Sequence, residues 1–279
     1  MPLTTTPDGV DIAWYDFGGD GPPILLCHAT GFHAHVWLPV AERLIASGYH
    51  CYALDERAHG DSARPPDGNF AWDGFATDAL AVRDAAGLQR PFAVGHSAGG
   101  ALLLLAEQRQ PGSWRSLYLF EPVVPPVDPP LGPSPENPLA VGALRRREVF
   151  ASRDAAYQNY SSKPPFDRLS PEALRAYVDH GFDDLADGTV RLKCRGADEA
   201  AVYTFGMAHD AFGRLGEVRC PVTVACGSET DAFGPAEIGA VAERLPHGRA
   251  EVLDGLSHFG PLEDPDQVAA SIGAAFAGG

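Results

Sequence analysis

Between a short apolar run, Phe92-Ala93-Val94, and a longer one at residues 101–106 stand Gly95-His96-Ser97-Ala98-Gly99. Glycines at both ends of so short a step read as strand, tight turn and helix, with Ser97 at the apex. A turn this sharp forces its apical residue toward strained backbone angles, and neighbours without Cβ atoms let strand and helix approach closely. The hydroxyl is then presented in the open before a helix N-terminus, whose partial positive charge favours a developing oxyanion. Ser97 is therefore the candidate nucleophile.

The 279 residues suffice for one large domain, or a core domain with an insertion. A formal net charge of −16 repels phosphate backbones, which argues against nucleic acid and anionic membranes as partners. The one basic block, Arg145-Arg146-Arg147, reads as the solvated face of a helix. Met1-Pro2-Leu3-Thr4-Thr5-Thr6 has neither the basic flank nor the apolar stretch of a signal peptide. No run of about 18 apolar residues is present to span a bilayer. Cys27, Cys51, Cys194, Cys220 and Cys226 are odd in number, widely spaced and without a C-x-x-C pair. They fit a reducing cytoplasm, and neither a disulfide framework nor a zinc site. No metal or organic cofactor is indicated, and the expected partner is a small-molecule substrate.

Residues 10–17 alternate in the manner of an early edge strand. Residues 23–27 are continuously apolar, as expected of a strand buried on both faces of a parallel sheet. A helix over 35–47, a strand over 49–54, a polar loop and a helix over 75–86 follow. After the elbow strand and its helix comes a strand over 116–120. Strands alternating with helices mean βαβ units. Eight prolines within residues 122–138 then forbid helix and internal strand alike, which makes a stiff connector. Beyond it, Asn137-Pro138 and Ser170-Pro171 each place a capping residue before a proline at the first helical position. The alternation resumes with a strand over 221–226, a helix over 235–245, a strand over 250–253 and a final helix over 265–276. The expected organisation is an α/β core over 1–122 and 215–279, with a mostly parallel, doubly wound sheet, and a helical cap inserted over 123–214.

Four stretches in order, His28-Ala29-Thr30-Gly31, Asp55-Glu56-Arg57-Ala58-His59-Gly60-Asp61-Ser62, the Ser97 elbow and Ser257-His258-Phe259, resemble the α/β-hydrolase superfamily. The resemblance covers nearly the whole chain except the insertion, which falls where that family carries its cap. Ala29 and Ala58 stand where glycine is common in it. A serine hydroxyl needs a base in the transition state. The family's order of nucleophile, acid and histidine implies His258, which follows the short strand at 251–253. The same resemblance implies backbone N–H groups of Ala98 and Thr30 as oxyanion donors. His28 reads as a structural residue bonded to its own loop. Phe32 and Trp37 are candidates for the substrate pocket, with core packing as the competing role for Trp37.

Two carboxylates compete to orient the base. Asp231 follows the strand at 222–226, one residue later than the spacing common in the fold. Glu121 ends the strand at 117–120, where a carboxylate against four apolar residues is costly unless paired. Its place 24 positions after Ser97 resembles haloalkane dehalogenases and zearalenone-type lactonases, which favours Glu121 and leaves Asp231 as the alternative. Dehalogenases and epoxide hydrolases require an aspartate nucleophile, so a serine here implies acyl transfer to water. The expected substrate is a carboxylic ester or lactone of small to medium size and apolar character. Carbon–carbon bond hydrolysis, a biosynthetic acyl-transfer or cyclisation step, and slow-turnover ligand binding, as in hormone receptors of this fold, remain alternatives. The aromatics Phe150, Tyr157, Tyr160, Phe166, Tyr177 and Phe182 either enclose substrate or glue the cap together.

Overall fold

Five-residue apolar runs too short for helices pair side by side in the computed structural model, which describes residues 1–278. The strands are β1 (Leu3–Thr5), β2 (Asp11–Gly18), β3 (Pro23–Cys27), β4 (His50–Leu54), β5 (Phe92–His96), β6 (Leu117–Phe120), β7 (Val149–Phe150), β8 (Phe182–Asp184), β9 (Val190–Leu192), β10 (Val222–Gly227) and β11 (Gly248–Leu253). The helices are α1 (Leu38–Ala46), α2 (Trp72–Ala85), α3 (Ala98–Arg109), α4 (Pro138–Ala143), α5 (Arg153–Ser161), α6 (Pro171–His180), α7 (Gly196–Phe205), α8 (Pro235–Arg244), α9 (Gly260–Glu263) and α10 (Pro265–Ala277). Eight strands form one sheet in the order β1-β2-β4-β3-β5-β6-β10-β11. Pairing is parallel from β4 to β11, and antiparallel between β1 and β2 and between β2 and β4. The expected α/β fold with a mostly parallel sheet is the observed one. β2 is not the edge, because the short β1 covers it.

Alternation along each strand divides the core into two layers. Leu25, Cys27, Ala93, Leu117, Leu119, Val222 and Val224 pack on one face with residues of α2, α3 and α8. Ile24, Leu26, Phe92, Val94, Tyr118, Phe120 and Ala225 pack on the other with residues of α1 and α10. Helices on both faces leave the carboxyl ends of the strands as the place where loops converge. That end carries the site.

Between β6 and β10 the proline-rich connector has no helix or strand before Pro138. The capping side chains act as expected. Asn137 accepts from the N–H of Leu139 at 2.9 Å, and Ser170 from that of Ala173 at 3.2 Å. A wholly helical insertion was the expectation, but β7, β9 and β8 form a three-stranded antiparallel sheet within it. Strands of two or three residues carry too short an alternation to stand out in sequence. The arginine triplet also departs from a solvated helical face. Arg146 lies past the end of α4, pairs with Glu199 and donates to the hydroxyl of Tyr177 at 2.6 Å. All five cysteines are free and buried, and no helix among the described residues is long and apolar enough to cross a membrane.

Candidate active site

Ser97 joins β5 to α3 with φ 55° and ψ −114°, a region that a residue with a side chain occupies only when its surroundings hold it there. Its N–H donates to Phe120 C=O at 2.9 Å, and its C=O accepts from Val123 N–H at 3.1 Å, which ties the elbow to the end of β6. The flanking glycines are there for space. A Cβ on Gly95 would stand 2.5 Å from Gly99 O, and one on Gly99 would stand 2.5 Å from Cys27 O. Ser97 is 8% exposed and lines a cavity of about 940 Å³ above the strand ends.

His258 lies on the wall of the same cavity, in the loop between β11 and α9. Its Nδ1–H donates to Glu121 Oε2 at 2.7 Å. Glu121 is fully buried at the end of β6 with φ 44°, so Glu121 and Ser97 are both held at positive φ. Its carboxylate is otherwise satisfied by the loop after β10. Gly227 N–H donates to Oε1 at 3.0 Å, while Thr230 Oγ1 at 2.7 Å and Phe233 N–H at 3.4 Å donate to Oε2. Asp231 stands in that loop too, but it is exposed on the cavity wall and makes no bond to His258 among the described residues. The loop that carries the alternative acid therefore serves as a cradle for Glu121. The hydroxyl of Ser97 makes no hydrogen bond to His258; contacts of this kind often tighten only in the complex with substrate.

The cavity lining also includes Ala29 and Thr30, from the loop after β3. Buried His28 orients it. His28 Nε2 accepts from Glu56 N–H at 2.9 Å, so Nδ1–H donates to Ala29 C=O at 2.8 Å. That carbonyl shares a peptide plane with the N–H of Thr30, so the bond also sets where the Thr30 donor points. One residue on, Gly31 has φ +83° and donates to His59 Nε2 at 3.0 Å. Burial pushes His59 down to about 4, which keeps that nitrogen an acceptor at neutral pH. Asp55 holds the next turn, accepting from Ala34 N–H at 2.7 Å and Asp61 N–H at 2.8 Å. Arg57 pairs with Asp78 through two bonds of 2.7 Å.

Glu56, in the middle of this stretch, is buried with neither carboxyl oxygen hydrogen-bonded. Burial, with the nearby Asp78 and Asp55 carboxylates adding to it, raises its pKa well above the ordinary value of 4.5. In the unfolded chain the group ionises first, so raising pH above 4.5 favours unfolding until the folded pKa is passed. An unsatisfied buried polar group costs about 1–3 kcal/mol. Glu56→Met, similar in shape, is expected to stabilise the protein by an amount of that order, with a gain that widens from pH 5 to pH 8. Urea unfolding at the two pH values measures it; a variant equally or less stable at pH 8 contradicts the account.

Several side chains at the cavity were not expected from sequence. Its apolar wall is formed by Trp72, Val123, Leu139, Met207 and Phe233, with Tyr203 and Asn137 beside them. Phe32 and Trp37 do not line it. Phe32 stacks on Phe166 and packs at a tilt against Phe259, and Trp37 is 1% exposed in the core layer of α1. None of the six aromatics singled out in the insertion lines the cavity; all pack into that same layer. Only the direction in which each residue faces separates these roles, and composition carries no such information. His96 was also missed. It is buried beside the serine, and its Nε2–H donates to the backbone C=O of His258 at 2.8 Å. Burial, reinforced by neighbouring His258, holds His96 well below its ordinary pKa and so neutral.

Comparison with known proteins agrees with this architecture. The model of the alpha/beta hydrolase family matches residues 24–271. A non-heme chloroperoxidase from Burkholderia pyrrocinia is 33% identical over 266 residues, covering 92% of this chain and 93% of that protein. A bifunctional esterase/perhydrolase from Acinetobacter calcoaceticus is 26% identical over 274 residues, covering 96% of each. Among solved structures, E-2-(acetamidomethylene)succinate hydrolase superposes with a TM-score of 0.82 at 20% identity, over 99% of this chain and 98% of that one, a likeness of fold. A strained serine between β5 and α3, a sheet wound with helices on both faces and a family match across most of its length make this chain a member of the alpha/beta hydrolase family.

Proposed function

We propose that this protein is a serine hydrolase that cleaves a carboxylic ester or lactone of a small to medium, largely apolar substrate. The observation that carries the reading is the bond of His258 to buried Glu121, 2.7 Å long, beside the cavity that both His258 and Ser97 line. His258 removes the Ser97 proton as Oγ attacks the carbonyl carbon. The resulting oxyanion accepts from the N–H groups of Ala98 and Thr30. His258 then protonates the departing alkoxide, leaving an acyl-enzyme, and activates water to release the acid. Glu121 keeps Nδ1 protonated throughout, so Nε2 is free to take and return the proton. The insertion over 123–214 acts as a cap and contributes Asn137, Leu139 and Tyr203 to the substrate's surroundings.

Fluorophosphonate labelling together with a panel of p-nitrophenyl esters and lactones tests this. Stoichiometric labelling at Ser97 and turnover that favours uncharged acyl groups are expected. Tight ligand binding with neither labelling nor turnover would favour a receptor of this fold instead.

A further inference from the structure

The bond to Glu121 fixes one nitrogen of His258, but the residue itself lies in a loop, outside helix and strand. Its backbone has to be held separately. His96 holds the carbonyl side. The residue before is held by Glu263 of α9, whose Oε2 accepts from Ser257 N–H at 2.9 Å and whose Oε1 accepts from the Ser257 hydroxyl. Ser257 Oγ accepts in turn from Phe259 N–H at 3.2 Å, so the carboxylate of Glu263 governs both flanks of His258.

The side chain of Glu263 is only 6% exposed, and a carboxylate so sheltered is stabilised by a paired counter-charge. That charge comes from the 123–214 segment. Arg168 lies between α5 and α6, and its Nε is 3.0 Å from Glu263 Oε1. Its Nη2 donates to Gly255 C=O at 3.0 Å and to Glu229 Oε2 at 2.9 Å. The contact to Glu229 joins two half-exposed groups and is screened by water, so it carries little. The contact to Glu263 is the sheltered one. Arg168 also lines the cavity itself. One residue thus lines the cavity while its guanidinium touches the loop ahead of His258 and the carboxylate that holds that loop.

We propose that Arg168 and Glu263 are positioning residues for His258, and that this ion pair ties the seating of the 123–214 segment to the placement of the imidazole. The inference rests on His258 acting as the base. Its physical reason is that proton transfer needs near-attack geometry, where a displacement of about 1 Å costs on the order of a hundredfold in rate.

The test compares Arg168→Gln, Arg168→Lys, Glu263→Gln and the double variant Arg168→Gln/Glu263→Gln with wild type. The substrate is a p-nitrophenyl ester, and kcat and KM are measured separately. Arg168→Gln and Glu263→Gln should each lower kcat by roughly ten- to a hundredfold with little change in KM, and Arg168→Lys should recover most of the loss. The double variant should be no slower than the slower single one, as for two residues acting through one link. Rates of fluorophosphonate labelling should fall in parallel, because labelling needs the base but little substrate fit. Raised KM with unchanged kcat would make Arg168 a substrate contact only. Additive losses, or a Glu263→Gln variant with wild-type kcat, would also overturn the link. Should Glu263→Gln not fold, the two Arg168 variants still decide. A wild-type chain that no fluorophosphonate labels would remove the hydrolase reading, and the inference with it.

Discussion

Ser97→Ala is expected to abolish ester turnover while leaving the fold intact. In a serine hydrolase whose nucleophile and base act as a unit, loss of the nucleophile lowers kcat by about 10⁶-fold. What remains is a residual acceleration of about 10³–10⁴ over water from oxyanion donors and binding. The alanine fits, because the contacts that fix the elbow run through the backbone, from Ser97 N–H to Phe120 and from Val123 N–H to Ser97 C=O. The side chain contributes no hydrogen bond that the fold would miss. Turnover of a p-nitrophenyl ester, followed beside circular dichroism, separates a chemical loss from an unfolding one. A folded Ser97→Ala protein that turns over at even a tenth of the wild-type rate would exclude this serine as nucleophile.

Glu121→Gln should follow, with kcat reduced by about 10⁴-fold, the size of effect seen when a triad acid becomes its amide and the imidazole takes the wrong tautomer. The amide places an N–H₂ group where His258 Nδ1–H, Gly227 N–H and Thr230 Oγ1–H all need an acceptor. Turning the amide satisfies one side at the expense of the other. Asp231→Asn changes a solvent-exposed carboxylate on the cavity wall and should alter kcat far less. Parallel kcat measurements on the two variants decide between the acids. A larger drop for Asp231→Asn would reassign the role. Partial stability loss in Glu121→Gln is expected as well, since burial leaves its unpaired donors no water to turn to.

The two predictions differ in how far the sequence supported them. The elbow needed only local facts, because glycines at fixed offsets around a serine, between an apolar run and a helical one, allow few backbone paths. Strands β3, β5, β6 and β10 were recognisable for a similar reason. A run buried on both faces has no polar side to show, and its length excludes a helix. The caps at Asn137 and Ser170 likewise act over three residues. Glu121 was harder. A carboxylate after four apolar residues signals a buried partner, but not which one; the contact of His258 with Glu121, and the loop after β10 donating to the same carboxylate, exist only in the folded chain.

Sequence alone determined the α/β alternation and the place of Ser97 on a strand–turn–helix elbow, and the order of segments pointed to His258, because each depends on residues adjacent in the chain or on that order. Tertiary structure decided which carboxylate meets that histidine, that Phe32 and Trp37 pack away from the cavity, that Arg146 turns inward to Glu199, and that His96, Glu263 and Arg168 converge on one loop. The reason is geometric. These contacts join residues dozens to more than a hundred and sixty positions apart, and their existence depends on the direction each side chain takes once the strands have paired.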